Sequence, residues 1–182
     1  ADLFKSAAEN LAPQLSIWRR HLHSHPELSY EEYETMKYVS GELDEMGVTH
    51  KSGVADTGIV ATIESNDPTS RLMALRADLD ALPIQELNDV PYASCNPGVM
   101  HACGHDVHTT SLLGAAHILS KNKEQWKGTV RLIFQPGEER LPGGASLMVA
   151  EGALHNPVPS PIRGSTVFPH FPAVPLALRP GL

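Results

Sequence analysis

Eight consecutive residues, His101-Ala102-Cys103-Gly104-His105-Asp106-Val107-His108, hold one thiol, three imidazoles and one carboxylate. A second stretch, Gln135-Pro136-Gly137-Glu138-Glu139, sets two acids side by side just after an apolar run. Thiolate and imidazole beside paired carboxylates are the donors of a metal centre that activates water. Cys103 and His105 alternate with Gly104, so an extended backbone projects both side chains the same way, towards one ion. A metal-bound thiol is deprotonated outright, which suits zinc, manganese, cobalt or nickel. The plainer alternative is a structural cysteine near solvated histidines; against it, clustered polar groups are costly to bury without a partner.

Asp106 reads as an acid that orients a histidine rather than as a ligand. His101 and His108 are further candidate ligands, in a His-x3-His-x2-His pattern that runs into a helix, whereas His117 reads as an ordinary helical residue. His21, His23 and His25 end an amphipathic helix, where cations favour the dipole, and are read as structural. Glu138 and Glu139 follow a strand, and α/β sheets build their sites at the carboxyl ends of strands. Adjacent carboxylates diverge, so one can bind metal while the other serves as general base; a solvated turn continued by Arg140 is the open alternative. Asp78 and Asp80 also follow a strand, on one face if the strand continues. Either orients a ligand, binds metal or caps a helix.

These groups need elements to hold them. Leu11, Leu15, Trp18 and Leu22 recur at helical spacing and predict a helix from near Pro13 to Ser24. Ser29-Tyr30-Glu31-Glu32 has the pattern of a capping box before the stripe Met36, Val39, Leu43, Met46, with Gly47 as the stop. Strands are expected at 58–63, 72–77 and 129–134, and helices at 107–119 and 144–153. Helices alternating with near-continuous apolar strands indicate an α/β layered domain, with a mostly parallel central sheet flanked by helices. After Glu151 no acid follows, and seven of the 15 prolines lie between Pro157 and Pro180. That density excludes a regular central strand over most of the segment and leaves an irregular tail or a strand plus linker.

A chain of 182 residues with 41% apolar and 19% charged residues fits one globular domain. The net charge of −7 argues against nucleic acid or an anionic membrane as partner. No run approaches the roughly 18 apolar residues of a membrane-spanning helix. Two cysteines, Cys95 and Cys103, exclude a disulfide scaffold and favour a reduced, cytoplasmic chain. They form no Cys-x-x-Cys, which speaks against a redox role.

Four stretches together carry a resemblance: Arg19-Arg20-His21-Leu22-His23-Ser24-His25-Pro26-Glu27-Leu28-Ser29, Arg76-Ala77-Asp78-Leu79-Asp80-Ala81-Leu82-Pro83, the cluster from His101 to Thr109, and Gln135 to Glu139. In order and spacing they resemble the M20 metallopeptidase family, within it the amidohydrolase branch of N-acyl-amino-acid amidohydrolases, hippurate hydrolases and auxin-conjugate hydrolases. The resemblance covers about residues 10 to 154. It implies a zinc-peptidase-like fold and hydrolysis of the amide bond of N-acyl amino acids or similar small amides through a metal-activated water. Two divalent ions (manganese, zinc, cobalt or nickel) are the implied cofactors. By position, Cys103, His105 and Glu139 match the family's metal ligands, Glu138 its general base and Asp78 the acid that orients the metal site. His170 lies where the family carries another ligand, although Phe168-Pro169 stands there in place of the usual Gly-Leu.

Family members are about twice as long, with a lid domain and a final metal-binding histidine. The expectation is therefore that residues 1–182 form the N-terminal part of the catalytic domain, with the lid absent and the Pro-rich 156–182 leading towards it. Full-length relatives are implied to be homo-oligomers. The alternative function is a truncated, non-catalytic fragment that binds metal or a partner.

Overall fold

The computed structural model describes residues 2–164. Helices α1 (Asp2–Ser24) and α2 (Tyr33–Glu45) precede strands β1 (Thr49–Val54), β2 (Gly58–Glu64) and β3 (Leu72–Asp78). Then come α3 (His105–Lys121), β4 (Thr129–Gln135), α4 (Gly144–Ala150) and the short β5 (Ile162–Gly164). The sheet order is β1-β2-β4-β3-β5. β1 with β2 and β2 with β4 pair antiparallel, while β3 pairs parallel with both β4 and β5. The α/β class holds, but the sheet is mixed rather than mostly parallel. The reason is the short return from β1 to β2, which forces a hairpin, whereas β3 reaches β4 through a crossover containing α3.

Side-chain alternation sorts the sheet into two buried faces. Ile59, Ala61, Ile63, Ala77, Val130, Leu132 and Phe134 face a core shared with Leu11 and Trp18 of α1, Val39 and Leu43 of α2, and Leu112, Leu113 and Ala116 of α3. Ala74 and Ile133 point to the other face and pack with Met148 of α4, Val54 and Ala153. Register fixes this: Ile59 sits opposite Phe134, Ala61 opposite Leu132, and Ile63 opposite Val130. A slip of one residue would turn every one of them outward.

Several local expectations are corrected. α1 begins at Asp2 and carries Pro13 inside it, so the proline does not mark its start. α4 stops at Ala150, short of Ala153. The polar edge strand β1 was not legible, because its pattern lacks the alternation of a half-buried strand. The capping box does not form: Ser29 turns its hydroxyl to Asp80, 2.6 Å away. Instead Glu27 reaches across to accept the first-turn amides of Glu34 and Thr35 at 3.1 and 2.7 Å. The segment after Pro157 contributes β5, so a strand is present there; residues 165–182, including His170, lie outside the described part.

Candidate metal centre

β3 and β4 run parallel and end level, with Asp78 opposite Gln135. The chain therefore leaves both strands at the same edge, and Asp80 and the Glu138–Glu139 loop emerge as neighbours. The amide of Glu139 donates to Asp80 Oδ2 at 2.9 Å, which ties the two exits together. α3 delivers the third component. Gly104 takes a left-handed φ of 87°, and His105 is the first residue of the helix.

His105 is buried at the centre of this arrangement. Its Nδ1 lies 2.8 Å from the main-chain oxygen of Asp80 and 3.2 Å from Asp80 Oδ1. Its Nε2 faces three carboxylates: Asp78 Oδ2 at 3.5 Å, Glu139 Oε1 at 3.7 Å and Glu138 Oε2 at 3.9 Å. Cys103, His105 and Glu139 each offer a ligand atom, all within 4.8 Å of one another. The sequence-derived trio is thus brought together, with Cys103 exposed and His105 buried.

Electrostatics describe a pocket with excess negative charge. Burial alone would raise the Asp78 carboxyl, but its hydrogen bond from His108 and the charges of His105 and Arg76 hold it below the usual carboxylate range. Burial acts likewise on Asp80, and bonds from His105, Ser29 and the Glu139 amide bring it down to about 2. The hydrogen bond to Glu139, with burial added, pushes the Cys103 thiol up to about 11. Ionised carboxylates crowded round one imidazole nitrogen and one thiol repel each other until a cation stands among them. The nitrogen, sulfur and oxygen donors fit a borderline divalent ion. The residues present therefore fit a metal.

The other histidines separate. His108 does not join the trio: its Nδ1 donates to Asp78 Oδ1 at 2.6 Å, and its buried Nε2 has no partner among the described residues. Asp78, His105 and His108 also form a close, fully buried group. His101 is buried with neither nitrogen bonded among the described residues, and burial pushes it down to about 4. His21 stacks between His25 and Tyr38, at 4.5 and 3.8 Å between ring centroids, as a helix-end residue.

His23 departs from the sequence reading. It is buried and bridges two acids, with Nδ1 2.7 Å from Asp106 Oδ2 and Nε2 3.0 Å from Glu86 Oε1. Asp106 does orient a histidine, but the histidine is His23, and Arg19 Nε donates to the same oxygen at 3.0 Å. Helix-end position could not reveal this, because Glu86 comes from a loop far along the chain. Glu32, Tyr30 and Ser29 were missed for the same reason: Glu32 and Tyr30 reach the Glu138–Glu139 loop from the segment before α2, and Ser29 reaches Asp80.

Comparison with known proteins decides the lineage. The family model for Peptidase family M20/M25/M40 matches residues 74–177, more than half of the sequence. The chain belongs to this family. The M20 chain is 45% identical over 150 residues to an N-acyl-L-amino acid amidohydrolase of Geobacillus stearothermophilus, covering 82% of this chain and 40% of the relative. It is 51% identical over 138 residues to an IAA-amino acid hydrolase of Arabidopsis thaliana, covering 76% of this chain and 31% of that protein. Among solved structures it matches a dinuclear metal-binding M20 peptidase of Bacillus subtilis with a TM-score of 0.83 and 41% identity, over 90% of this chain and 45% of that one. The M20 chain thus spans less than half the length of these relatives.

Proposed function

We propose that residues 1–182 are the N-terminal part of a metal-dependent amidohydrolase that cleaves the amide bond of N-acyl amino acids or similar small amides. The observation that carries this reading is the convergence of Cys103, His105 and Glu139 beside the half-exposed carboxylate of Glu138. The names of the relatives, an N-acyl-L-amino acid amidohydrolase and an IAA-amino acid hydrolase, support the substrate class.

Cys103, His105 and Glu139 would hold one divalent ion of a pair, with His170 as a further ligand. Zinc, manganese, cobalt or nickel, when bound, would supply Lewis-acid polarisation of the scissile carbonyl and of the attacking water. Glu138, the more exposed of the two acids, takes the water proton on its carboxylate and returns it to the leaving amine. Asp78, fixed by Arg76 at 2.7 Å and His108 at 2.6 Å, orients the metal side of His105. Asp80 holds the His105 ring and the Glu139 amide in place. Homo-oligomers among full-length relatives, no nucleic-acid or membrane partner and a cytoplasmic setting complete the reading. No described helix is long and apolar enough to cross a membrane.

The test is Glu138→Gln, assayed on an N-acetyl amino acid with manganese or zinc and paired with a metal titration. Turnover should fall by about 10²–10⁴ while metal stays bound. An unchanged rate sinks the assignment of Glu138. Metal binding without turnover by the unsubstituted chain favours the non-catalytic alternative.

A further inference from the structure

We propose that Glu32 is a positioning residue for the Glu138–Glu139 loop: its buried carboxylate fixes the backbone from which both acids project. The inference rests on the metal-centre reading above and deepens it. Glu32 has no exposed surface. Its Oε1 accepts the Gly137 amide at 2.7 Å, and its Oε2 accepts the Thr57 hydroxyl at 2.6 Å. Both partners are donors, so an acceptor-only carboxylate satisfies them together.

Glu32 does not act alone. The Tyr30 hydroxyl donates to the Arg140 carbonyl at 2.9 Å and accepts the Gly143 amide at 3.0 Å. Ser29 donates to Asp80 Oδ2, the same oxygen that accepts the Glu139 amide. A single segment, 29–32, therefore holds the loop directly at 137, 140 and 143 and, through Asp80, at 139. Its place beside Asp80 is fixed in turn, because the Ala81 amide donates to the Glu27 carbonyl at 2.8 Å.

Within the loop, the amides of Gly143 and Gly144 donate to the Arg140 and Gly137 carbonyls, each at 3.0 Å, and residues 30 and 32 tie that turn to the segment before α2. Gly137 sits at φ +54°, and a Cβ there would lie 2.4 Å from the Tyr30 ring. The turn is thus shaped by contact with residues 30 and 32 rather than by its own side chain. Glu139 follows Gly137 by two positions, so a rotation at Gly137 swings that carboxylate away from Cys103 and His105. A group that served only to brace α2 would gain nothing from two buried acceptor oxygens, since burying a polar group costs more than burying an apolar side chain unless its hydrogen bonds are made.

The experiment titrates the chain with Co²⁺, follows thiolate-to-cobalt absorption from Cys103, and measures amide hydrogen exchange. Glu32→Met should weaken cobalt binding by about tenfold or more and speed exchange across 136–143. Glu32→Gln keeps a carbonyl for the Gly137 amide and should restore both. Thr57→Val removes only the other partner and should lower the melting temperature without moving cobalt affinity. In the unsubstituted, metal-free chain the Gly137 amide should be protected; exchange at the rate of an open peptide overturns the proposal even if Glu32→Met fails to fold. Equal cobalt affinity in Glu32→Met, or an equal loss in Thr57→Val, also overturns it. If the unsubstituted chain gives no absorption that depends on Cys103, the metal-centre reading falls and this one with it. If it does and Glu32→Met matches it, only the positioning role falls.

Discussion

His105 Nδ1 lies 2.8 Å from the main-chain oxygen of Asp80. A carbonyl oxygen only accepts, so Nδ1 carries a proton, and in the neutral ring the lone pair is left on Nε2. The nitrogen turned towards Cys103 and Glu139 is therefore the one able to bind a metal. This single contact converts a histidine at a helix start into an oriented ligand, and Asp80 supplies it while also accepting the Glu139 amide.

Asp80→Ala should weaken divalent-metal binding by about 10–100-fold, the usual effect of removing a partner that orients a ligand. The substitution frees the Ser29 hydroxyl and the Glu139 amide and removes one of the two acceptors near His105 Nδ1. Competition with a chelator of known affinity measures it. Unchanged affinity would show that the backbone carbonyl of Asp80 suffices.

Cys103→Ser should weaken metal binding, because a serine hydroxyl is a poor substitute for a thiolate on a borderline ion. Cys95→Ser should leave it unchanged, since Cys95 is exposed and outside the ligand group. Isothermal titration of the two variants with zinc decides the matter, and equal losses would remove Cys103 from the ligand set.

Gly137→Ala should destabilise the chain by about 1–3 kcal/mol, the range for forcing an extra methyl into a packed site. The added carbon meets the Tyr30 ring at 2.4 Å, and φ of +54° is unfavourable for alanine. Gly137→Ala should cost less in a Tyr30→Ala background, where the ring that the added carbon meets is gone. Denaturant unfolding of both single variants and the double variant reads the difference. An equal cost of Gly137→Ala with and without the Tyr30 ring would place the strain elsewhere.

Much of this centre was legible because its donors are close in sequence. Cys103 and His105 are separated by one residue and lead into the periodic α3, while Glu138 and Glu139 are adjacent and follow the apolar β4. The α/β class followed from the same periodicities. What escaped was the long-range polar wiring. Glu32 meets Gly137 across 105 positions, and His23 meets Asp106 across 83. Local patterns gave both residues dull local jobs, a capping box and a helix end. Sheet direction escaped as well, since an apolar strand reads the same whichever way its neighbour runs.

His23 offers a prediction about pH. Its hydrogen bond to Asp106, opposed by burial and aided by Glu86, raises its pKa above the ordinary 6.5, with Arg19 working against it. Tyr92 packs edge-on at 5.9 Å. Burial would raise Glu86, but bonds from His23, the Ser94 amide and Asn88 bring it down to about 2. A raised imidazole contributes stability that is complete below 6.5 and is lost as pH climbs through its native value. A depressed carboxylate contributes stability present above its ordinary 4.5 and lost as pH falls towards 2. The two contributions overlap between about 4.5 and 6.5. The gap in unfolding free energy between the unsubstituted chain and His23→Gln should therefore be widest in that window. It should narrow above 6.5, as the native imidazolium gives up its proton. Urea unfolding of both proteins across that range measures the gap. A gap that stays constant as pH rises past 6.5 would mean that His23 is neutral between its two acids.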